Sequence, residues 1–300
     1  MKKNCIILVG PTAVGKTDVA IAIAKFFNTG IISADSRQCY QELNIGVAKP
    51  TQQQLSTIPH HFINSHSIEE LVTVVDFEKY ALQVLEGIFQ KKEVAIMAGG
   101  TGLYINAFCE GLDAIPNISV DIREKVRSDY EKEGMDWLIK AIEEKDEIYF
   151  KVGEMKNPQR MMRALEVVLA TGKSILTFQQ KNKINRDFNI IKIGLELPRD
   201  ILYDRINKRV DAMIGSGLVD EVASLLDFRK NNALQTVGYS ELFDYFDKTI
   251  SLESAIDQIK QHTRNYAKRQ MTWFKKDLGI EWFSPFAENL PQYLEQKIKI

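Results

Sequence analysis

The octapeptide Gly10-Pro11-Thr12-Ala13-Val14-Gly15-Lys16-Thr17 constrains the fold of this chain more than any other stretch. It fits the pattern G-x-x-x-x-G-K-[ST] and follows the apolar run Cys5–Val9. The segment after it, Thr17–Phe27, carries Val19, Ala20, Ile23, Ala24 and Phe27 on one helical side. Strand, glycine-rich loop and helix in that order form the context in which the pattern makes a P-loop. Its glycines let the backbone close around phosphate oxygens, and the helix N-terminus adds positive potential. Lys16 is expected to meet phosphate charge, and the Thr17 hydroxyl to ligate Mg²⁺.

The rest of the chain extends this beginning. Gly30–Ala34 and Val94–Ala98 read as further strands, and Phe77–Phe89 as a helix. Alternating strands and helices imply an α/β domain with a mainly parallel sheet. From about Ile115 the pattern changes, and residues 121–180 show helical spacing with no strand. The clearest helix there starts at Asn157-Pro158, an N-cap followed by proline at the first helical position, and ends near Thr171-Gly172. Strand character returns over 188–197, followed by helices at about 199–215, 217–230, 252–262 and 259–276, the last two able to run on as one. The expected architecture is a P-loop NTPase-like α/β core, residues 1–115 and 188–300, with a helical domain inserted over 116–187.

A net charge of −1 gives the whole chain little attraction for a polyanion, so any nucleic-acid surface must come from local clusters of Lys and Arg. Cys5, Cys39 and Cys109 lack metal-ligand spacing and read as free thiols of a reducing compartment, with the cytoplasm as the expected location. The apolar run Cys5–Val9 is too short for a signal peptide or a membrane span. Nothing indicates an obligate dimer, and a monomer is expected.

A P-loop does not choose a reaction. Val94–Ala98 ends in Gly99-Gly100-Thr101-Gly102, without the acid that usually holds metal in a motor or switch ATPase. Strand 30–34 delivers Asp35-Ser36-Arg37-Gln38 to the carboxyl end of the sheet, where α/β proteins bind ligands. Asp35 there can accept a proton from a nucleophile attacking near the phosphates. It can equally cap a following helix or help hold metal, and a small-molecule kinase would use the same placement. Between Gln258 and Lys276 there is no acid, and Lys260, Arg264, Lys268, Arg269, Lys275 and Lys276 interleave with His262, Tyr266, Trp273 and Phe274. Such a stretch suits RNA phosphates and unpaired bases, or a solvated basic face over a packed aromatic one. The adjacent His60 and His61 point different ways and have no evident third ligand, which favours a structural or substrate-lining role over metal.

Further motifs follow in order. They are Ile45-Gly46-Val47-Ala48-Lys49-Pro50-Thr51, Pro59-His60-His61, and Gly99-Gly100-Thr101-Gly102-Leu103-Tyr104. Next come Asn157-Pro158-Gln159-Arg160-Met161-Met162-Arg163-Ala164-Leu165-Glu166-Val167 and Val237-Gly238-Tyr239. The last is Lys268-Arg269-Gln270-Met271-Thr272-Trp273-Phe274. With Gly10–Thr17 and Asp35–Gln38 they resemble the bacterial tRNA dimethylallyltransferase (tRNA isopentenyltransferase) family over roughly residues 5–276. Val47 stands where that family more often has threonine.

The resemblance implies transfer of a dimethylallyl group from dimethylallyl diphosphate to an adenosine amine just 3′ of the anticodon in tRNA. Mg²⁺ would take part and no ATP would be consumed, although the loop alone reads as an ATP-type nucleotide-binding motif. It further implies Asp35 as general base, and Lys16, Thr17 and Arg205 on the departing diphosphate. Arg209 is open as an alternative to Arg205, and Thr101 would lie beside the reacting adenine. The implied tRNA contacts in the core are Asp35, Ser36, Arg37, Gln38 and Thr101. On the insertion they are Arg123, Gln159, Arg160, Met161, Met162 and Arg163. On the basic helix they are Lys268, Arg269, Gln270, Met271, Thr272, Trp273, Phe274 and Lys275. The partner would be the tRNA anticodon stem-loop, with no membrane. A relative that prenylates free adenine nucleotides is the neighbouring alternative.

Overall fold

The computed structural model describes residues 2–179 and 184–299. The chain divides into two compact units, residues 1–109 with 185–300 and residues 110–184. Its first half runs β1 (Asn4–Val9), α1 (Lys16–Phe27), β2 (Ile31–Ala34), α2 (Gln52–Thr57), β3 (His60–His61), α3 (Val74–Phe89), β4 (Val94–Gly99) and α4 (Gly102–Glu110). Then come α5 (Val120–Lys145), α6 (Glu147–Val152) and α7 (Pro158–Thr171). The chain returns through β5 (Asn189–Leu195), α8 (Arg199–Gly215), α9 (Leu218–Ala223), α10 (Ser240–Phe246), α11 (Leu252–Phe274), β6 (Glu281–Phe283) and α12 (Leu290–Lys299).

The larger unit is built on a six-stranded sheet in the order β3-β2-β4-β1-β5-β6, every pair parallel. This is the α/β class that the alternating elements predict. Every residue of β1 is buried, as a central parallel strand covered on both faces requires. Its side chains alternate between two apolar clusters, Cys5, Ile7 and Val9 in one and Ile6 and Leu8 in the other. Fully burying each aliphatic side chain contributes about 1.5–3 kcal/mol.

Register then places the functional loops. Val9 of β1 and Ala34 of β2 both stand opposite Gly99 of β4. Gly10, Asp35 and Gly100, each the next residue, therefore leave the sheet at one level on its carboxyl edge.

The smaller unit has its own core, which includes Val126, Leu138, Ile142, Tyr149, Met161 and Leu165. Its α5 is interrupted at Gly134, whose φ of 78° is non-helical. The α7 boundaries follow the local signals. The Asn157 side chain accepts the N–H groups of Gln159 and Arg160, and Gly172 closes the helix at φ 68°.

One expected element differs. The helix expected over 217–230 ends at Ala223 and gives way to a single 3₁₀ turn at Leu226–Phe228. The helices over 252–262 and 259–276 do run on as one, ending at Phe274. Among the described residues no helix is long and apolar enough to cross a membrane.

Where the chain re-enters the larger unit, the Arg186 guanidinium donates to the carbonyls of Phe108 (2.8 Å) and Ala107 (3.0 Å) and to Glu78 (2.5 Å). A cation thus satisfies free carbonyls in the last turn of α4. Both side chains of the ion pair are mostly buried, at 11% and 16% exposure. Removing one partner of such a pair strands the other charge, so Arg186→Ala is expected to lower stability by about 3 kcal/mol. The urea midpoint measures it.

Candidate active site

The P-loop follows from its backbone. Ala13 (φ 64°) and Gly15 (φ 106°) lie in the left-handed region. Alternation of that kind gathers successive N–H groups into a concave anion site. The Lys16 ammonium reaches back over the loop and donates to the carbonyls of Gly10 (2.9 Å) and Pro11 (2.8 Å).

A cavity of about 300 Å³ opens on this loop, lined among others by Thr12, Ala13, Gly15, Lys16, Thr17, Asp35, Arg205 and Arg209. A second, of about 580 Å³, continues from it and shares Thr12, Asp35, Val47, Arg209 and Tyr266. Its further lining mixes apolar Val210, Met213, Leu218 and Ile259 with Arg37, Glu241, His262 and Arg269. Asp35 stands where the two meet.

Asp35 does not cap a helix, because a turn follows it. Its Oδ1 accepts the N–H groups of Arg37 (2.9 Å) and Gln38 (3.3 Å). These bonds fix the carboxylate while Oδ2 remains for a ligand. Thr101 binds the same turn, its Oγ1 accepting the Ser36 N–H at 3.1 Å. The Gln38 amide donates to the Val47 and Ala48 carbonyls, both at 3.2 Å. The Arg37 guanidinium donates to Asn232 Oδ1 (3.3 Å) and the Gln235 carbonyl (3.4 Å).

Arg205 and Arg209 are four residues apart on α8, so one helix face brings both to the smaller cavity. Arg209 also reaches Thr12 Oγ1 at 3.5 Å and lines the larger cavity. The structure thus assigns the two arginines a common cavity rather than choosing between them.

Burial lowers the Lys16 ammonium to about 7, with Asp35 raising it and Arg209 lowering it further. Burial likewise lowers Arg209 from its ordinary value, against the pull of Asp35. A phosphate group beside Lys16 favours its charged form. Above pH 7 the ligand-free lysine is mostly neutral, so binding an anion takes up a proton and affinity falls as pH rises. Calorimetric titration with inorganic diphosphate at pH 6.5 and 8.5 should therefore give weaker binding at the higher pH, with proton uptake seen as buffer-dependent heat.

Thr17 and Asp35 also border a small recess with Lys16, Ser33, Gln38 and His60. A hydroxyl and a carboxylate are hard oxygen donors, and Mg²⁺ bound with phosphates needs only one or two protein ligands. The donor set fits that ion. No cluster of three or more His, Cys, Asp or Glu able to hold a metal exists among the described residues. His60 and His61 form β3 and pair with Ile31 and Ile32. Burial lowers the pKa of both.

The remaining expected residues divide by burial. Lys268, Arg269, Thr272 and Trp273 are exposed on α11, as is Lys275 just beyond its end, and Met271 is half-buried. Arg269 lies over the Tyr266 ring (5.7 Å), and Lys275 lies over Trp282 (3.9 Å) and pairs with Glu196 (2.7 Å). Gln270 and Phe274 face inward, at 6% and 3% exposure, and Gln270 lines the smaller cavity. In the smaller unit Gln159 and Arg160 are exposed, while Arg123, Met162 and Arg163 are half-buried. Arg163 pairs with Glu166 at 3.1 Å. Met161 is fully buried and belongs to that unit's core, not its surface.

Gln270 also has a task that the basic helix does not suggest. Its Oε1 accepts the Thr12 N–H (2.8 Å), and its Nε2 donates to the Gly100 carbonyl (2.9 Å). One amide thus ties the P-loop to the end of β4. A Cβ on Gly100 would lie 2.2 Å from that Nε2, so glycine lets the strut close. Gln270→Leu should keep the volume, leave the Thr12 N–H and Gly100 carbonyl unpaired, and weaken diphosphate binding about tenfold, read by calorimetry.

Comparison with known proteins bears on this geometry. The model of the IPP transferase family matches residues 38–277. A tRNA dimethylallyltransferase of Christiangramia forsetii is 46% identical over 99% of this chain and 99% of its own length. One from Flavobacterium psychrophilum is 49% identical over 94% of each chain. The crystal structure of the full-length tRNA isopentenylpyrophosphate transferase from Bacillus halodurans superposes with a TM-score of 0.74 at 34% identity, covering 99% of this chain and 97% of that one. With the family model covering residues 38–277 and relatives aligned nearly end to end, this chain belongs to the IPP transferase family.

Proposed function

We propose that this protein is a tRNA dimethylallyltransferase, moving a dimethylallyl group from dimethylallyl diphosphate to the exocyclic amine of the adenosine 3′-adjacent to the anticodon. The observation that carries the reading is the meeting of an anion cradle and a fixed carboxylate, Asp35, at the junction of two cavities in a chain of this family.

The diphosphate lies on Gly10–Thr17, with Lys16, Arg205 and Arg209 around it. Thr17, with Asp35 near, would hold Mg²⁺, which would supply further positive charge beside the diphosphate. The adenine amine attacks the allylic carbon, forming a C–N bond as the C–O bond to diphosphate breaks. Asp35 takes the proton that the amine loses, and the arginines and Lys16 hold the charge that collects on the leaving group. An allylic diphosphate brings its own leaving group, so alignment and charge neutralisation suffice without a covalent enzyme intermediate.

The acceptor base must leave its stack to enter the cavity. Exposed Lys268, Arg269 and Trp273 on α11 supply phosphate contacts and an aromatic face for the RNA. On the insertion, Gln159, Arg160 and Arg163 serve the anticodon loop. An acceptor as small as a free nucleotide would need neither surface. Incubating unmodified tRNA with donor and Mg²⁺, then digesting it to nucleosides for mass spectrometry, tests the reading. A single dimethylallyl unit on one adenosine is expected, and an unchanged nucleoside profile would refute it.

A further inference from the structure

Residues 46–48 form one wall of the two cavities, and the loop that carries them is held from behind by a charge. The Glu221 carboxylate, on α9, accepts three consecutive backbone N–H groups, those of Asn44 (3.2 Å), Ile45 (2.7 Å) and Gly46 (3.1 Å). It also accepts the hydroxyl of fully buried Tyr239 at 2.6 Å. Four donors on one carboxylate make a strong, oriented anchor. Gly46 rests directly on the Tyr239 ring, where an added Cβ would come within 2.6 Å. Glu221 does not line the cavities described above.

The other side of the loop carries an opposite charge. The Lys49 ammonium donates to the carbonyls of Tyr40 (2.5 Å) and Gln41 (3.3 Å) and to the side-chain oxygens of Asn44 (3.3 Å) and Asn64 (2.5 Å). Between these two anchors the chain presents Val47 and Ala48. Ala48 has φ 48°, a conformation that alanine adopts only when its surroundings impose it. The carbonyls of Val47 and Ala48 accept the two bonds that Gln38 Nε2 donates, Gln38 Oε1 accepts the Ser33 hydroxyl at 3.3 Å, and the Gln38 backbone N–H binds Asp35 Oδ1. Hydrogen bonds and the backbone between them therefore link Glu221 through residues 44–48 and Gln38 to Asp35.

We propose that Glu221 is a positioning residue for transfer, setting the loop that orients Gln38 and through it the Asp35 carboxylate. The assignment rests on the functional reading above and deepens it. Glu221→Gln keeps the shape and one acceptor oxygen but loses the charge. With the fold intact by near-ultraviolet circular dichroism, it should lower kcat by about 10- to 100-fold, the scale of a small misplacement of reacting groups, with little change in donor KM. Because the effect passes through Gln38, Glu221→Gln and Gln38→Ala should not multiply when combined. Wild-type kcat in Glu221→Gln, or losses that multiply, would overturn the proposal. Should Glu221→Gln fail to fold, Tyr239→Phe removes one donor to the same carboxylate and is read in the same cycle.

Amide hydrogen exchange over residues 44–48 reads the anchor without any activity. Faster exchange in the variant is expected, and unchanged protection would overturn the anchor even if the wild type transferred nothing. Absence of transfer by the wild type would instead count against the functional reading.

Discussion

Asp35→Asn is expected to keep its fold and, on the acid side of the Lys16 titration, its donor binding, while losing transfer by about 10²- to 10⁴-fold, the range for removing a general base. The amide oxygen can still accept the N–H groups of Arg37 and Gln38 that Oδ1 accepts in the native turn. Geometry is therefore retained and basicity is lost. Single-turnover rates with saturating donor isolate the chemical step. A second consequence is electrostatic. Asp35 is the group that raises Lys16 and Arg209 against their burial. Without it Lys16 should lose its proton at lower pH, moving the alkaline decline of donor binding toward acid. A variant that transferred at the native rate would remove Asp35 from the role of base.

Lys16→Met should have the second large effect, a fall of about 10²- to 10³-fold in kcat/KM, as found when a preorganised charge-stabilising donor is removed. Methionine fills the stem volume but leaves the Gly10 and Pro11 carbonyls without the bonds that the ammonium makes. Diphosphate is negative before and after the bond breaks, so KM should rise as kcat falls. On the acid side of the Lys16 titration, Asp35→Asn is expected to affect kcat almost alone. Steady-state kinetics on the two variants separates the roles. Equal loss in Lys16→Met and Asp35→Asn confined to kcat would contradict the assignment of Lys16 to the diphosphate.

What the sequence discloses and what it conceals follow from the range of the interactions. Gly10–Thr17 is local, its glycines, lysine and hydroxyl adjacent, and it lies where a strand meets a helix. Asp35 was legible because it ends a strand, and the sheet register does the rest. Gln270 was not. It lies 258 residues from Thr12, and within a basic run its amide looked like one more polar group for RNA. The helical stripe of buried Ile259, Ala267, Gln270 and Phe274 was the available signal, since those spacings share one face of a helix. Glu221 gave less. An acid in the first turn of a short helix is ordinary there, and only the folded chain brings it 175 residues back to Gly46. The short elements β3 and β6, of two and three residues, fall below the length at which periodicity speaks. At Met161 the motif and the local pattern point different ways. It belongs to a motif in the resemblance, yet the amphipathic pattern of α7 turns it into the core of its own unit.

The most direct test of the central claim is transfer of radiolabelled dimethylallyl from its diphosphate, with Mg²⁺ present and ATP absent. Unmodified tRNA, the same tRNA lacking the target adenosine, and free adenine nucleotides serve as parallel acceptors. The account predicts label in the unmodified tRNA alone, lost in Asp35→Asn. Label in free nucleotides but not in tRNA, or in none of the three, would contradict it.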